Sequence, residues 1–213
     1  MKTKLFPVAT PSFRLAVCLA ASLAGCAAAV GAPPLSASQP PQATPAIAAG
    51  AGTPVALVNP SFEVDAQGRF TGWKAHEHMR GNSYTFVADT SRPRSGPTSL
   101  RIRRHGDEFY GLMNQKIKVQ PEWFNKTVRL AGYLRTDGAT GTGGALVMQA
   151  RGGGDEIMAH DHMDDRRVTG TQDWKRYTVD MKVPPHAYWL QVGVMLQDDG
   201  TMWADDLSLT VLD

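Results

Sequence analysis

Trp189, Gln191 and Gln197 alternate with Leu190, Val192, Val194 and Leu196. A β-strand here sets one aromatic ring and two amides opposite an apolar stripe. Tyr133, Arg135, Gln149 and Arg151 hold matching alternate positions in two other strand-like segments, and are expected to share that polar face. Aromatic faces stack on the apolar side of a sugar ring, while Arg and Gln hydrogen-bond its hydroxyls. The seven residues therefore suit a glycan or a similar polar ligand. They equally suit an ordinary polar sheet face, and alternation alone does not separate the two.

A denser cluster runs His160-Asp161-His162-Met163-Asp164-Asp165-Arg166-Arg167, and His76-x-His78 repeats its histidine spacing. Two imidazoles one residue apart face the same side of a strand, which is one way to hold a transition metal. The expectation is a solvated, ligand-lining loop rather than a zinc site. No Gly-x-Ser-x-Gly elbow, His-Glu-x-x-His pair or phosphate-binding loop is present. The carboxylate pairs Asp107-Glu108 and Asp155-Glu156 sit beside turns, and adjacency in sequence does not set two carboxylates across a sugar. The chain is expected not to be an enzyme.

The elements that must position these residues are strands. Period-two alternation appears at residues 98–104, 110–119, 127–136, 144–151, 174–183, 188–197 and 202–212. Turn formers separate them: Ser95-Gly96-Pro97, the glycine-rich residues 138–143, Gly152-Gly153-Gly154-Asp155, Pro184-Pro185 and Asp198-Asp199-Gly200. No stretch keeps a 3.6-residue period, and residues 122–125 suit a single helical turn. The fold expected is all-β, an antiparallel β-sandwich of jelly-roll type covering residues 54–213.

The first part of the 213-residue chain is different. Lys2, Lys4 and Arg14 precede the apolar residues 15–25, the layout of an export signal too short to span a bilayer permanently. This stretch ends Leu23-Ala24-Gly25-Cys26, which resembles a bacterial lipobox; the resemblance implies that residues 1–25 are removed and Cys26 is lipidated. Ala27 after it points to an outer-membrane lipoprotein of the cell envelope, anchored to the membrane by lipid. Ordinary cleavage nearby, followed by release, is the alternative. Residues 26–53 are rich in Ala, Pro, Ser, Gln and Gly, and read as a disordered tether. There are 22 Lys and Arg against 20 Asp and Glu, a net charge of +2 that becomes −1 once the three signal cations are lost. That balance argues against a nucleic-acid partner.

Asn59-Pro60-Ser61-Phe62-Glu63, Gly72-Trp73, residues 95–100 and Trp203-Ala204-Asp205-Asp206-Leu207 follow one another in an order that resembles the galactose-binding-like jelly rolls. Among these it resembles particularly the family 4/9 type carbohydrate-binding modules, in the version appended to bacterial hydrolases and regulators. The resemblance implies glycan binding without catalysis. It also implies a structural calcium tying the first strand to the last, held by Ser61, Glu63, Asp206 and oxygens of the turn from Asp89 to Arg92. Calcium takes hard oxygens from carboxylates and carbonyls. Alternatively Glu63 caps a turn and Asp205-Asp206 is a solvated strand end. Trp73, Trp174 and Trp203 match packing positions. Other readings are an envelope protein partner docking on this domain, or a hydrolase with scattered carboxylates.

Overall fold

The computed structural model describes residues 52–79 and 81–212. The expected signal, the lipidated Cys26 and nearly all of the tether lie outside them. Ten strands form: β1 (Gly52–Val55), β2 (Lys74–Glu77), β3 (Tyr84–Asp89), β4 (Ser99–Arg104), β5 (Tyr110–Lys118), β6 (Thr127–Arg151), β7 (Ile157–Asp161), β8 (Val168–Lys182), β9 (Trp189–Gln197) and β10 (Thr201–Leu212). A 3-10 turn at Pro121–Trp123 is the one helical element among the described residues. Gly52 and Thr53, read as the end of the tether, pair with Leu212 and Val211 in β1.

Every pairing is antiparallel, and the fold is a jelly-roll β-sandwich. One layer runs β3-β4-β10-β6-β8, with β1 also on β10; the other runs β2-β5-β9-β6-β7. β6 belongs to both. Its first half pairs with β10 and β8, and its second half with β9 and β7. The sequence suggests two strands joined by a glycine turn; the structure has one 25-residue strand that bends. Gly138, Gly141 and Gly143 all have positive φ, a conformation costly for residues with a Cβ. A Cβ on Gly143 would also strike the Val168 carbonyl, so the bend depends on glycine there.

Leu130 and Leu134 from the first half of β6 and Leu146 and Met148 from the second are fully buried in one core. Leu100, Ile102, Leu190, Val192, Val194, Leu196 and Met202 complete it. Burial of each such side chain contributes roughly 1.5–3 kcal/mol. Trp73 joins this core, and its Nε1 donates to the Asn59 carbonyl at 2.8 Å. The motif beginning at Asn59 closes on itself: the Asn59 amide donates to the Glu63 carbonyl and accepts from the Glu63 N–H. Trp203 packs as expected but outside the main cluster, whereas Trp174 departs from the packing role. Trp203 is buried on the outer face of its layer beneath the Arg135 guanidinium, 4.3 Å from its ring centroid. Trp174 is half-buried and donates to the Arg92 carbonyl.

Candidate functional site

The outer face of the β2-β5-β9-β6-β7 layer is built in rungs. Across β5, β9 and β6 the partners are Tyr110, Gln197 and Gly143; Leu112, Met195 and Ala145; Asn114, Gly193 and Val147; Lys116, Gln191 and Gln149; and Lys118, Trp189 and Arg151. Character therefore changes along the strands, from apolar through amide to cationic and aromatic. Leu112, Val147 and Met195 form a small apolar cluster separate from the main core, with Tyr110 against it. Although they point away from the core they are buried, as are Asn114, Gln149, Gln191 and Gln197. Gly193 contributes no side chain to the middle rung, and a Cβ there would strike the Met113 carbonyl.

Walls rise on two sides. Phe109 and Tyr110 pack edge-on, with His78 5.5 Å from Tyr110 and 5.9 Å from Phe109. Opposite, residues 161–167 fold over the sheet. Met163 sets their path: at φ +56° it buries its side chain in the core, and its sulfur accepts the Leu146 N–H. Its neighbour His162 is left on the cleft side, with its Nε2 2.9 Å from Gln149 Nε2. Burial, and then the nearby His160, hold the His162 pKa below its ordinary value. Arg167 follows, donating to Asp164 Oδ1 at 2.6 Å. Phe109, Tyr110, Val147, Gln149, His162 and Arg167 are among the residues enclosing a cleft of about 240 Å³.

Five of the seven sequence-selected residues, Trp189, Gln149, Arg151, Gln191 and Gln197, stand on this face. Tyr133 and Arg135 do not. They lie in the first half of β6, opposite Asp205 and Trp203 of β10, on the outer face of the other layer. The bend at residues 138–143 carries β6 between layers, so alternation cannot be continued through it. Arg94 stacks on Tyr133 there at 4.4 Å. Alternation alone passes over Leu112, Val147 and Met195, because apolar residues on a strand are assigned to the core. For Val147 and Met195 the signal was the unbroken runs Ala145-Leu146-Val147-Met148 and Val194-Met195-Leu196, which suit a strand buried on both faces. Of the His160-to-Arg167 cluster, His162, Asp164 and Arg167 line the cleft, whereas His160, Asp161, Asp165 and Arg166 border a separate hollow beside Asp180. Among the described residues, no three His, Cys, Asp or Glu side chains converge as a metal cluster.

The junction expected to hold calcium is partly assembled. Ser61 Oγ and Ser95 Oγ both donate to Asp206 Oδ1, at 3.4 and 2.5 Å. Thr98 Oγ1 donates to Glu63 Oε2 at 2.8 Å. Glu63 Oε1 is buried without a hydrogen-bond partner, and Gly96 lies against it where a side chain would collide. A bulge between Asp205 and Ser208, with Asp206 at φ +51°, turns consecutive carboxylates to different sides. Asp205 instead accepts from the Arg94 and Ser95 N–H groups, and burial pushes its pKa up to about 6. The Asp89 carboxylate and the Arg92 side chain and carbonyl have partners elsewhere. Asp89 accepts from Ser91, Arg101 and Trp203. Arg92 pairs with Asp173, and its carbonyl is taken by Trp174. The remaining set is all oxygen, the chemistry a hard cation requires.

No family model matches the chain. An uncharacterized HTH-type transcriptional regulator of Bacillus subtilis is 27% identical over 104 residues, 49% of this chain. The match spans only 35% of that regulator. Among solved structures, the CBM22-1 xylan-binding domain of Paenibacillus barcinonensis Xyn10C superposes with a TM-score of 0.56 at 18% identity, covering 78% of this chain and 99% of that domain. The active domain of bacteriophage CBA120 tailspike protein 4 gives 0.56 at 13% identity, over 73% of this chain and 21% of that one. An arabinose-bound α-L-arabinofuranosidase gives 0.52 at 15% identity, over 76% and 26%. The fold is thus one found in carbohydrate-binding modules and within larger enzymes, and fold alone does not assign an activity.

Proposed function

We propose that the cleft on the β2-β5-β9-β6-β7 layer binds a glycan and that the protein does not cleave it. One observation carries the reading: an apolar floor of Leu112, Val147 and Met195 is followed along the strands by the buried amides Asn114, Gln191 and Gln149. A pyranose has this same duality, with C–H faces that settle on apolar and aromatic surface and hydroxyls that pair with amides. Tyr110 and Phe109 at one end and Trp189 at the other supply ring surface. Likeness of fold to the xylan-binding domain supports the class of ligand. Hydrolysis by general acid and base needs two facing carboxylates. Among the described residues lining the cleft the single carboxylate is Asp164, which is held by Arg167.

Two further elements belong to the proposal. The junction of Ser61, Glu63 and Asp206 holds a calcium ion that fixes the Asn59–Glu63 loop against β10; the buried, unpartnered Glu63 Oε1 supports this. Cys26 carries a lipid that anchors the domain in the cell envelope, supported by the Leu23-to-Cys26 sequence. Incorporation of labelled palmitate that disappears in Cys26→Ser tests the anchor. A glycan array probed with the purified protein tests the binding reading: specific binding that Tyr110→Ala diminishes is expected. No binding to any plant, microbial or animal glycan would overturn it.

A further inference from the structure

Arg167 is not needed to hydrogen-bond a neutral sugar, because amides already line the cleft, yet its charge is placed there with a largely exposed carboxylate to balance it. Its side chain is only 8% exposed, and its one ion-pair partner among the described residues, Asp164, is 67% exposed and so screened by water. The Nε and Nη1 groups have no acceptor among the described residues. A guanidinium withdrawn from water calls for a counter-charge and for acceptors on its remaining N–H groups.

The far end of the same face repeats the imbalance. Lys116 and Arg151 share a single carboxylate, Asp155, at 2.6 and 3.3 Å. Lys118 donates to the Tyr188 hydroxyl and lies 4.4 Å over that ring, without a carboxylate partner among the described residues. A cation in the apolar and amide-lined cleft and others farther along the same face suit a ligand that repeats both a sugar ring and a negative charge.

Resting on the reading of this cleft as a glycan site, we infer that its ligand is an acidic polysaccharide, one whose sugars carry carboxylate groups. One ligand carboxylate meets Arg167, whose ion-pair partner Asp164 is largely exposed to water, and a second one meets Lys116, Lys118 and Arg151.

The test uses matched pairs, because the particular sugar is not fixed by charge. Oligogalacturonates, oligomannuronates and glucuronate-substituted xylo-oligosaccharides are titrated calorimetrically into the full chain. Each is paired with its methyl-esterified form, which keeps the rings and removes the charge. At least one acid form should bind tenfold or more tightly than its ester, and Arg167→Gln should erase that preference. Lys118→Gln, at an exposed position, should narrow it without disturbing the fold, and serves if Arg167→Gln does not fold. Esters that bind as well as the acids, or an Arg167→Gln loss that is equal for both, would overturn the inference and leave the glycan cleft standing. Binding confined to uncharged glycans on an array would do the same. Absence of binding to every glycan, charged or neutral, would overturn both.

Discussion

The Gln149 amide and the His162 imidazole meet at 2.9 Å, Nε2 to Nε2, across the gap between the β6 floor and residues 161–167. Arg151 Nε donates to Gln149 Oε1, so the amide group facing the ring is the NH2. From that network the imidazole is assigned as the acceptor, neutral, with its proton on Nδ1. The contact ties the wall of the cleft to its floor and makes the wall sensitive to protonation.

Below pH 6.5 an unfolded chain protonates His162, whereas burial and His160 resist this in the fold, against the pull of Asp164 and Asp161 and with Arg167 adding to it. The unfolded state binds the proton more readily, so stability from this group is complete above about pH 6.5. It is lost as pH falls from there through the lower folded value. Urea midpoints measured from pH 8 to 5 should drop, and His162→Gln should remove part of that slope. Identical slopes for the two proteins would exclude the imidazole as a contributor.

Tyr110 and Trp189 stand at opposite ends of the rungs, whereas Trp203 lies on the other layer beneath Arg135. Tyr110→Ala and Trp189→Ala should each weaken glycan binding about tenfold, ~1.4 kcal/mol, with little change in fold. Trp203→Ala should lower the melting temperature and leave the affinity of the folded protein unchanged. Calorimetric titration of the three variants separates the faces, and the reverse pattern would move the site to the Trp203 face.

Asp89 pins the outer face of the other layer. Burial opposes its ionisation, but hydrogen bonds from Ser91 and Trp203 and the Arg101 charge outweigh it, bringing its pKa to about 2. Its contribution is therefore present above the unfolded value near 4 and is lost as pH falls toward 2. Asp89→Asn should cost about 2 kcal/mol at neutral pH and flatten the acid limb of the stability curve. Denaturant melts at pH 7 and pH 3 check it; an equal cost at both would show that the charge is not what matters.

At the Glu63–Asp206 junction, calcium should raise the melting temperature of protein stripped with chelator, because a ligand held only by the folded state stabilises it. Glu63→Gln should abolish the increment, since it removes the charge beside the unpartnered Oε1. A melting temperature indifferent to calcium in the unmodified protein would remove the ion from the account.

The strands were legible wherever one face meets the core and the other meets water. Leu190, Val192, Val194 and Leu196 alternate cleanly with Trp189 and Gln191 and lie where that pattern puts them. Legibility failed where a physical premise of alternation failed. At Gly138 to Gly143 positive-φ glycines carry one strand from layer to layer, so Tyr133 and Arg135 part from Gln149 and Arg151. At Leu112, Val147 and Met195 the outer face is itself covered, so apolar residues there looked like core. β2 is short and largely polar, and β3 and β7 are short without alternating apolar and polar residues, so they offered little period to read. The loop from His162 to Arg167 was recognisable as a polar cluster, but only Met163, sunk in the core, shows why it lies over the cleft.

The most direct measurement is a 1H–15N spectrum of the protein titrated with an oligosaccharide selected on the glycan array. Side-chain amide signals of Gln149, Gln191 and Gln197 should shift together and saturate, while the indole signal of Trp203 stays in place. Shifts gathered instead at Trp203 and Arg135, with the three glutamines unmoved, would contradict the assignment of the cleft as the binding site.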